Sequence, residues 1–194
     1  MSKISEREKI MKLLHSSLLD CDTQVSIAEK GEEIFAETSE DPVMVFAENL
    51  SKEGGKFFYC ENEEELFSNL QNLISYRKWN NIGSYSNNLL SYLKGKGVQT
   101  TLADKDTKVA ISLCQGIVSK TGSIIITSIQ GAGTHLTKFP PIMIIIAMTS
   151  QIYASYKQVL ALLPETPPQW VISIRSGKFI SEEIKEFYLF LVED

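Results

Sequence analysis

The chain has 194 residues and a mass of 21.8 kDa, with 43% hydrophobic and 22% charged residues, a globular composition that excludes a largely disordered chain. Its 19 Lys and Arg stand against 24 Asp and Glu, a net charge of −5, so it has no general basic surface for nucleic acid or an anionic membrane. Cys21, Cys60 and Cys114 form no C-x-x-C pair, and with only His15 and His135 beside them they make no zinc or iron–sulfur motif.

The opening MSKISEREKI is charged where a signal peptide needs an apolar stretch. The longest strongly apolar run, Ile142 to Met148, is far short of the roughly 20 residues that cross a bilayer. A cytoplasmic protein without a membrane span is therefore expected.

Taken in chain order, residues 1–55 read as a helical arm. Ile4, Met11, Leu14 and Leu18 share one helical face. Asp41-Pro42 then starts a helix, because an N-cap acceptor precedes a proline whose missing N–H costs nothing there. Val43, Phe46, Ala47 and Leu50 form its apolar stripe, to be docked on the downstream chain, and Gly54-Gly55 ends it. Lys56 to Cys60 (KFFYC) reads as a buried strand. Asn62 follows as an N-cap, with Glu63, Glu64 and Glu65 in the first turn, where the helix dipole favours negative charge. Trp79 to Ile82 is expected as a short strand and Ser84 to Leu93 as a helix closed by Gly95. Val98 to Leu102 and Val109 to Leu113 are two further strands. Ser123 to Ile129 (SIIITSI) and Ile142 to Met148 (IMIIIAM) are continuous apolar runs, as central strands covered on both faces should be. Gln151 to Leu162 reads as a helix stopped by Pro164. Trp170 to Ile174 and Tyr188 to Val192 read as strands, with a short helical segment around Glu182 to Glu186 between them. This alternation predicts an α/β core over residues 56–194 with a largely parallel sheet.

Two nucleotide motifs fail on inspection. Gly131-Ala132-Gly133-Thr134-His135-Leu136 begins like a dinucleotide fingerprint, but it lacks the third glycine, and Phe139-Pro140-Pro141 prevents the receiving helix. Gly177-Lys178 fails as a phosphate loop because Ile172 stands at the leading glycine position and Phe179 at the magnesium hydroxyl. His135 lies downstream of an apolar strand, where α/β sheets place ligands, and an imidazole there can carry a proton; a solvated loop histidine is the alternative. Cys114 follows an apolar strand and reads as a small buried hydrophobe.

Two loops carry more chemistry. Lys120-Thr121-Gly122-Ser123 precedes SIIITSI, and Ile174-Arg175-Ser176-Gly177-Lys178 follows WVISI. Each joins small residues, hydroxyls and backbone N–H groups to a cation, which suits a carboxylate or phosphate, and Arg175 can clamp such an anion bidentately. The candidate ligand residues are thus Thr121, Gly122, Ser123, His135, Arg175, Ser176, Gly177 and Lys178; no catalytic residue and no metal ligand is assigned.

At these loops the sequence resembles the LUD-domain family, the lactate-utilisation proteins of bacteria. Gly116-Ile117-Val118-Ser119-Lys120-Thr121-Gly122-Ser123 is similar to the family's "AIAETGT" stretch, and Thr134 to Pro141 to its segment ending in Pro-Pro. Ile172-Ser173-Ile174-Arg175-Ser176 is similar to its later "ISGPS" loop, with Ile174-Arg175 where the family has glycine-proline. The closing stretch Tyr188 to Asp194 has the family's strand character. The resemblance implies a Rossmann-like core of the sugar-phosphate isomerase and CoA-transferase type. It also implies a non-cluster subunit or regulator of an L-lactate-oxidising complex, with iron–sulfur clusters in partner subunits and none bound by this chain. A small organic acid or phosphate is the implied ligand, and a homo-oligomer is compatible. Two alternatives stand beside it: a stand-alone anion-binding enzyme of isomerase or acyl-transfer type, and a scaffold whose pocket has decayed.

Overall fold

The computed structural model describes residues 41–52, 54–130, 139–175 and 184–194. The expected helix from Ile4 to Leu18, together with Cys21, His15, His135, Ser176, Gly177 and Lys178, lies outside them. Helix α1 (Pro42–Lys52) is capped as read, with Asp41 Oδ1 accepting from the Val43 N–H at 2.9 Å, and it buries Phe46 and Leu50 completely. Strand β1 (Lys56–Cys60) and helix α2 (Glu63–Arg77) follow, the latter capped by Asn62. Then come β2 (Ile82–Ser84), α3 (Asn87–Gly95), β3 (Thr101–Leu102) and β4 (Val109–Leu113). A second group holds β5 (Gly116–Val118), β6 (Ser123–Thr127), β7 (Ile142–Met148), β8 (Ile152–Tyr153) and α4 (Tyr156–Ala161). Strands β9 (Val171–Arg175) and β10 (Glu186–Val192) close the described chain.

Six strands form the principal sheet in the order β1-β10-β7-β4-β2-β3, every pair parallel. The α/β expectation with a largely parallel core is met. A second sheet, β8-β5-β6-β9, is mixed. Here the structure corrects the sequence reading: SIIITSI is not a strand of the parallel sheet. It contributes β6, which runs antiparallel to both β5 and β9. All five β6 residues are nonetheless buried, because one face packs on the principal sheet and the other under α4.

The layers follow from side-chain alternation along β10. Phe187, Leu189 and Leu191 point toward α1 and the second sheet, packing with Phe46, Ile124 and Ile174. Tyr188, Phe190 and Val192 point the other way, onto Leu66, Leu70 and Leu93 of α2 and α3. Val159 of α4 covers Val118 and Ile125 on the outer face of the second sheet.

Several boundaries moved. The second strand begins at Ile82 rather than Trp79, because Lys78 turns left-handed (φ 54°) to end α2 and Trp79 packs edge-on against Tyr188 at 5.5 Å. Helix α3 starts at Asn87, since Ser84 completes β2 and the Ser86 hydroxyl makes the cap. Only Thr101–Leu102 of the expected Val98 to Leu102 strand pairs. Residues 151–155, expected to open a helix, instead end a 3-10 turn and form β8, and α4 begins at Tyr156. The helical segment around Glu182 to Glu186 is not found in its described part: Ile184 and Lys185 are irregular and Glu186 opens β10.

At the amino edge of the sheet Glu186 collects two cations. Lys56 Nζ donates to Glu186 Oε2 at 3.0 Å and to the Tyr188 hydroxyl at 3.0 Å, Tyr188 donates to Glu186 Oε2 at 2.6 Å, and Arg77 pairs with Glu186 Oε1. Burial alone would raise the Glu186 carboxyl, but the Tyr188 and Lys56 hydrogen bonds and the Lys56 and Arg77 charges outweigh it and hold it below its ordinary value. Burial would likewise lower Lys56, yet its bonds to Tyr188 and Glu186 leave it raised. The carboxyl's contribution is therefore present above the ordinary glutamate range and is lost as pH falls through its lowered folded value. Glu186→Gln leaves two half-buried cations facing each other. Discounted for exposure, it is expected to cost about 2 kcal/mol in urea unfolding at neutral pH. It should also weaken the acid dependence of stability; unchanged stability at pH 7 would show the cluster to be solvent-screened.

Candidate functional site

The antiparallel β6–β9 ladder sets Ser123 directly opposite Arg175, so two sequence-predicted residues meet on one face. Ser173 shares that face, two positions before Arg175. Thr121 Oγ1 donates to Ser123 Oγ at 2.9 Å. From the start of α4 the Tyr156 hydroxyl reaches the Ser173 hydroxyl at 2.8 Å, with the Ser123 and Thr121 hydroxyls close enough to act on its phenol. Four hydroxyls thus converge beside a guanidinium. Ser123 is fully buried, Thr121, Ser173 and Tyr156 are half-buried, and Arg175 is exposed. Burial would raise the Tyr156 phenol, but the three hydroxyl contacts and the Arg175 charge outweigh it and hold it below its ordinary value.

Gly122 has a different place from its neighbours. Its φ is +61°, its N–H bonds the Ser119 carbonyl at 3.4 Å, and a Cβ there would sit 3.1 Å from the Asn49 and Leu50 backbone. Asn49 Nδ2 donates to the Ser119 and Lys120 carbonyls at 3.1 and 3.3 Å. The glycine lets α1 come close enough to hold the turn that presents Thr121 and Ser123.

Tyr156 and Ser173 were not among the sequence candidates. Ser173 had a signal, since any strand ending at Arg175 puts it on the arginine's face. Tyr156 had none: it joins the cluster only through the packing of α4 on the second sheet.

A separate cleft of about 410 Å³ opens at the carboxyl ends of β4 and β7. Leu113 and Ile146 to Met148 form its floor, the first turn of α3 one wall, and Ile129, Gln130 and Gln151 the other. Cys114 at its base is an uncharged thiol, pushed up to about 12 by burial, in keeping with the small-hydrophobe reading. Cys60 is likewise buried, its thiol raised to about 11. Among the described residues no group of three or more His, Cys, Asp or Glu gathers to hold a metal ion, and no helix is long and apolar enough to cross a membrane.

The family model of the LUD domain matches residues 100–173, a span that contains Thr121, Ser123, Tyr156 and Ser173. Comparison with curated proteins gives no match. Among solved structures, a DUF162 family protein from Deinococcus radiodurans is similar in fold, with a TM-score of 0.59 at 16% identity over 78% of this chain and 96% of that one. The LUD-domain model that matches residues 100–173 is that of the family the chain's loops resemble.

Proposed function

We propose that this LUD-domain protein is a non-cluster component of an L-lactate-oxidising system, and that its hydroxyl–arginine cluster holds the carboxylate of a small organic acid. One observation carries the ligand reading: Ser123 and Arg175 are paired across β6 and β9, and Thr121, Ser173 and Tyr156 close around them. Hydroxyl donors and an exposed guanidinium converging on one spot suit a carboxylate, which accepts charge-assisted hydrogen bonds. The electron-transfer centres belong, in this reading, to iron–sulfur partner subunits, and His135, Ser176, Gly177 and Lys178 remain proposed contributors to the ligand site.

L-lactate titrated calorimetrically into the purified protein is expected to bind. Arg175→Ala should weaken binding about tenfold, by loss of a charge-assisted pair, and Tyr156→Phe about fivefold, by loss of one hydrogen bond. Equal affinities in all three proteins would remove the cluster as the ligand site. The pathway assignment is tested separately: deletion of the gene should abolish lactate-dependent electron flow, and unimpaired flow rejects it.

Tyr156 favours a second reading, a stand-alone enzyme of isomerase or acyl-transfer type, because a phenol held below its ordinary value can serve in proton transfer. Turnover of a sugar phosphate or acyl-CoA by the isolated chain, lost in Tyr156→Phe, would favour it over the subunit role.

A further inference from the structure

The cleft at the carboxyl edge of the parallel sheet is chemically unlike the hydroxyl–arginine cluster. It lies where open α/β sheets bind ligands, between two layers: α3 walls it from one side of the sheet, and the segments after β6 and β7 from the other. At about 410 Å³ it falls within the range of small-molecule sites. None of the described residues lining it is charged, and its thiol is held neutral by burial. Three large apolar side chains stay open to water around it, Leu113 at 39%, Ile129 at 52% and Met148 at 39% exposure.

The polar groups of the walls narrow the ligand further. Gln130 Oε1 already accepts from the Thr127 N–H and hydroxyl at 2.7 and 2.8 Å, while its Nε2 donates to Gln115 Oε1 at 2.9 Å. Gln151 Oε1 accepts from the Met148 N–H at 2.9 Å and its Nε2 donates to the Cys114 carbonyl at 3.1 Å. Each amide has two N–H bonds and commits one of them here. The walls therefore have amide donors to spare, while Gln130 Oε1 is filled by its two bonds.

We infer that this cleft binds an uncharged, flat heterocycle carrying hydrogen-bond acceptors, such as ring nitrogens or carbonyls, at a site distinct from the carboxylate cluster. Apolar walls take the ring faces and the spare amide N–H groups meet the acceptors. An anionic ring has no countercharge among the described lining residues, and two amide N–H groups replace only part of the hydration it would lose. The inference is independent of the lactate reading, because it uses none of the residues of that cluster.

The test uses the full chain with lumichrome and nicotinamide as neutral acceptor-bearing rings, and naphthalene-2-sulfonate as a flat anion. Saturable binding of at least one neutral ring, at least tenfold tighter than the sulfonate, is expected. Ile129→Asp and Met148→Asp, at exposed positions where the melting temperature should hold, are each expected to weaken that binding at least tenfold. Failure of both neutral rings to saturate overturns the inference, as does equal or tighter binding of the sulfonate. Unchanged affinity in both variants also overturns it. So does a wild-type dimer that either variant converts to monomer, since the exposed apolar rim would then be a protein-docking face. Should either variant unfold, the wild-type preference for neutral rings over the sulfonate decides.

Discussion

Phe190→Ala is expected to cost about 4 kcal/mol in urea unfolding, the largest single effect considered for this chain. Phe190 has no exposed surface and lies in β10, with Phe58 of β1 and Ile146 of β7 as its register partners. Its ring stacks on Phe58 with centroids 4.6 Å apart and planes 7° from parallel. Alanine removes the buried ring and the stacking contact together, and strands on both sides prevent the backbone from closing the space. Against a total stability of about 5–15 kcal/mol for a domain, that loss brings the protein near its unfolding threshold. A measured cost below about 2 kcal/mol would mean that α2 can collapse onto the sheet and fill the cavity.

Gly83→Val is expected to cost about 3 kcal/mol by overpacking, read from the same unfolding curves. A Cβ at Gly83 would lie 2.8 Å from Ala103 Cβ and Thr107 Cγ2 and 2.9 Å from Ala103 Cα. Neither neighbour yields easily. Thr107 Oγ1 bonds Asp104 Oδ1 at 3.0 Å and accepts from the Asp104 N–H at 2.8 Å, so rotating its methyl away breaks the 104–107 turn. Ala103 is fixed by its N–H to the Ser84 carbonyl at 3.0 Å. Wild-type stability in the valine variant would show that the β2–β3 edge can move away, at no cost to the central strands.

These two positions also show what a sequence exposes and what it conceals. Strands β1, β4 and β7 were legible to the residue because each is a predominantly apolar run bounded by turn-forming or polar residues. Strand β2 was misplaced for the reason Gly83→Val should be costly: no Cβ fits at Gly83, and a glycine followed by a serine does not look like a strand. The identity of β6 as a fully buried strand was legible, but its partners were not. A strand covered on both faces has the same composition whether its neighbours run parallel or antiparallel, so SIIITSI fitted the principal sheet equally well. The candidate site inherited that limit. Thr121, Ser123 and Arg175 were singled out by residue type, whereas their meeting depends on the β6–β9 register, and Tyr156 enters only through the packing of α4. Gln130 and Gln151 gave no signal at all, since isolated glutamines are ordinary surface residues until the fold turns their amides onto a cleft.

The position of β10 has a consequence for how the sheet is put together during synthesis. It is the latest of the described strands along the chain, yet it lies between β1 and β7 and is the partner through which β1 joins the principal sheet. While the ribosome is still making residues 171–175, Phe57 and its neighbours in β1 have no strand to pair with, and β7 presents an open apolar edge. Joining Lys56 to Tyr188 closes most of the described chain into one loop, a non-local step that comes late in folding. The nascent protein therefore carries two unpaired apolar edges until residues 186–192 emerge, and that interval is when it is most exposed to mispairing with another chain.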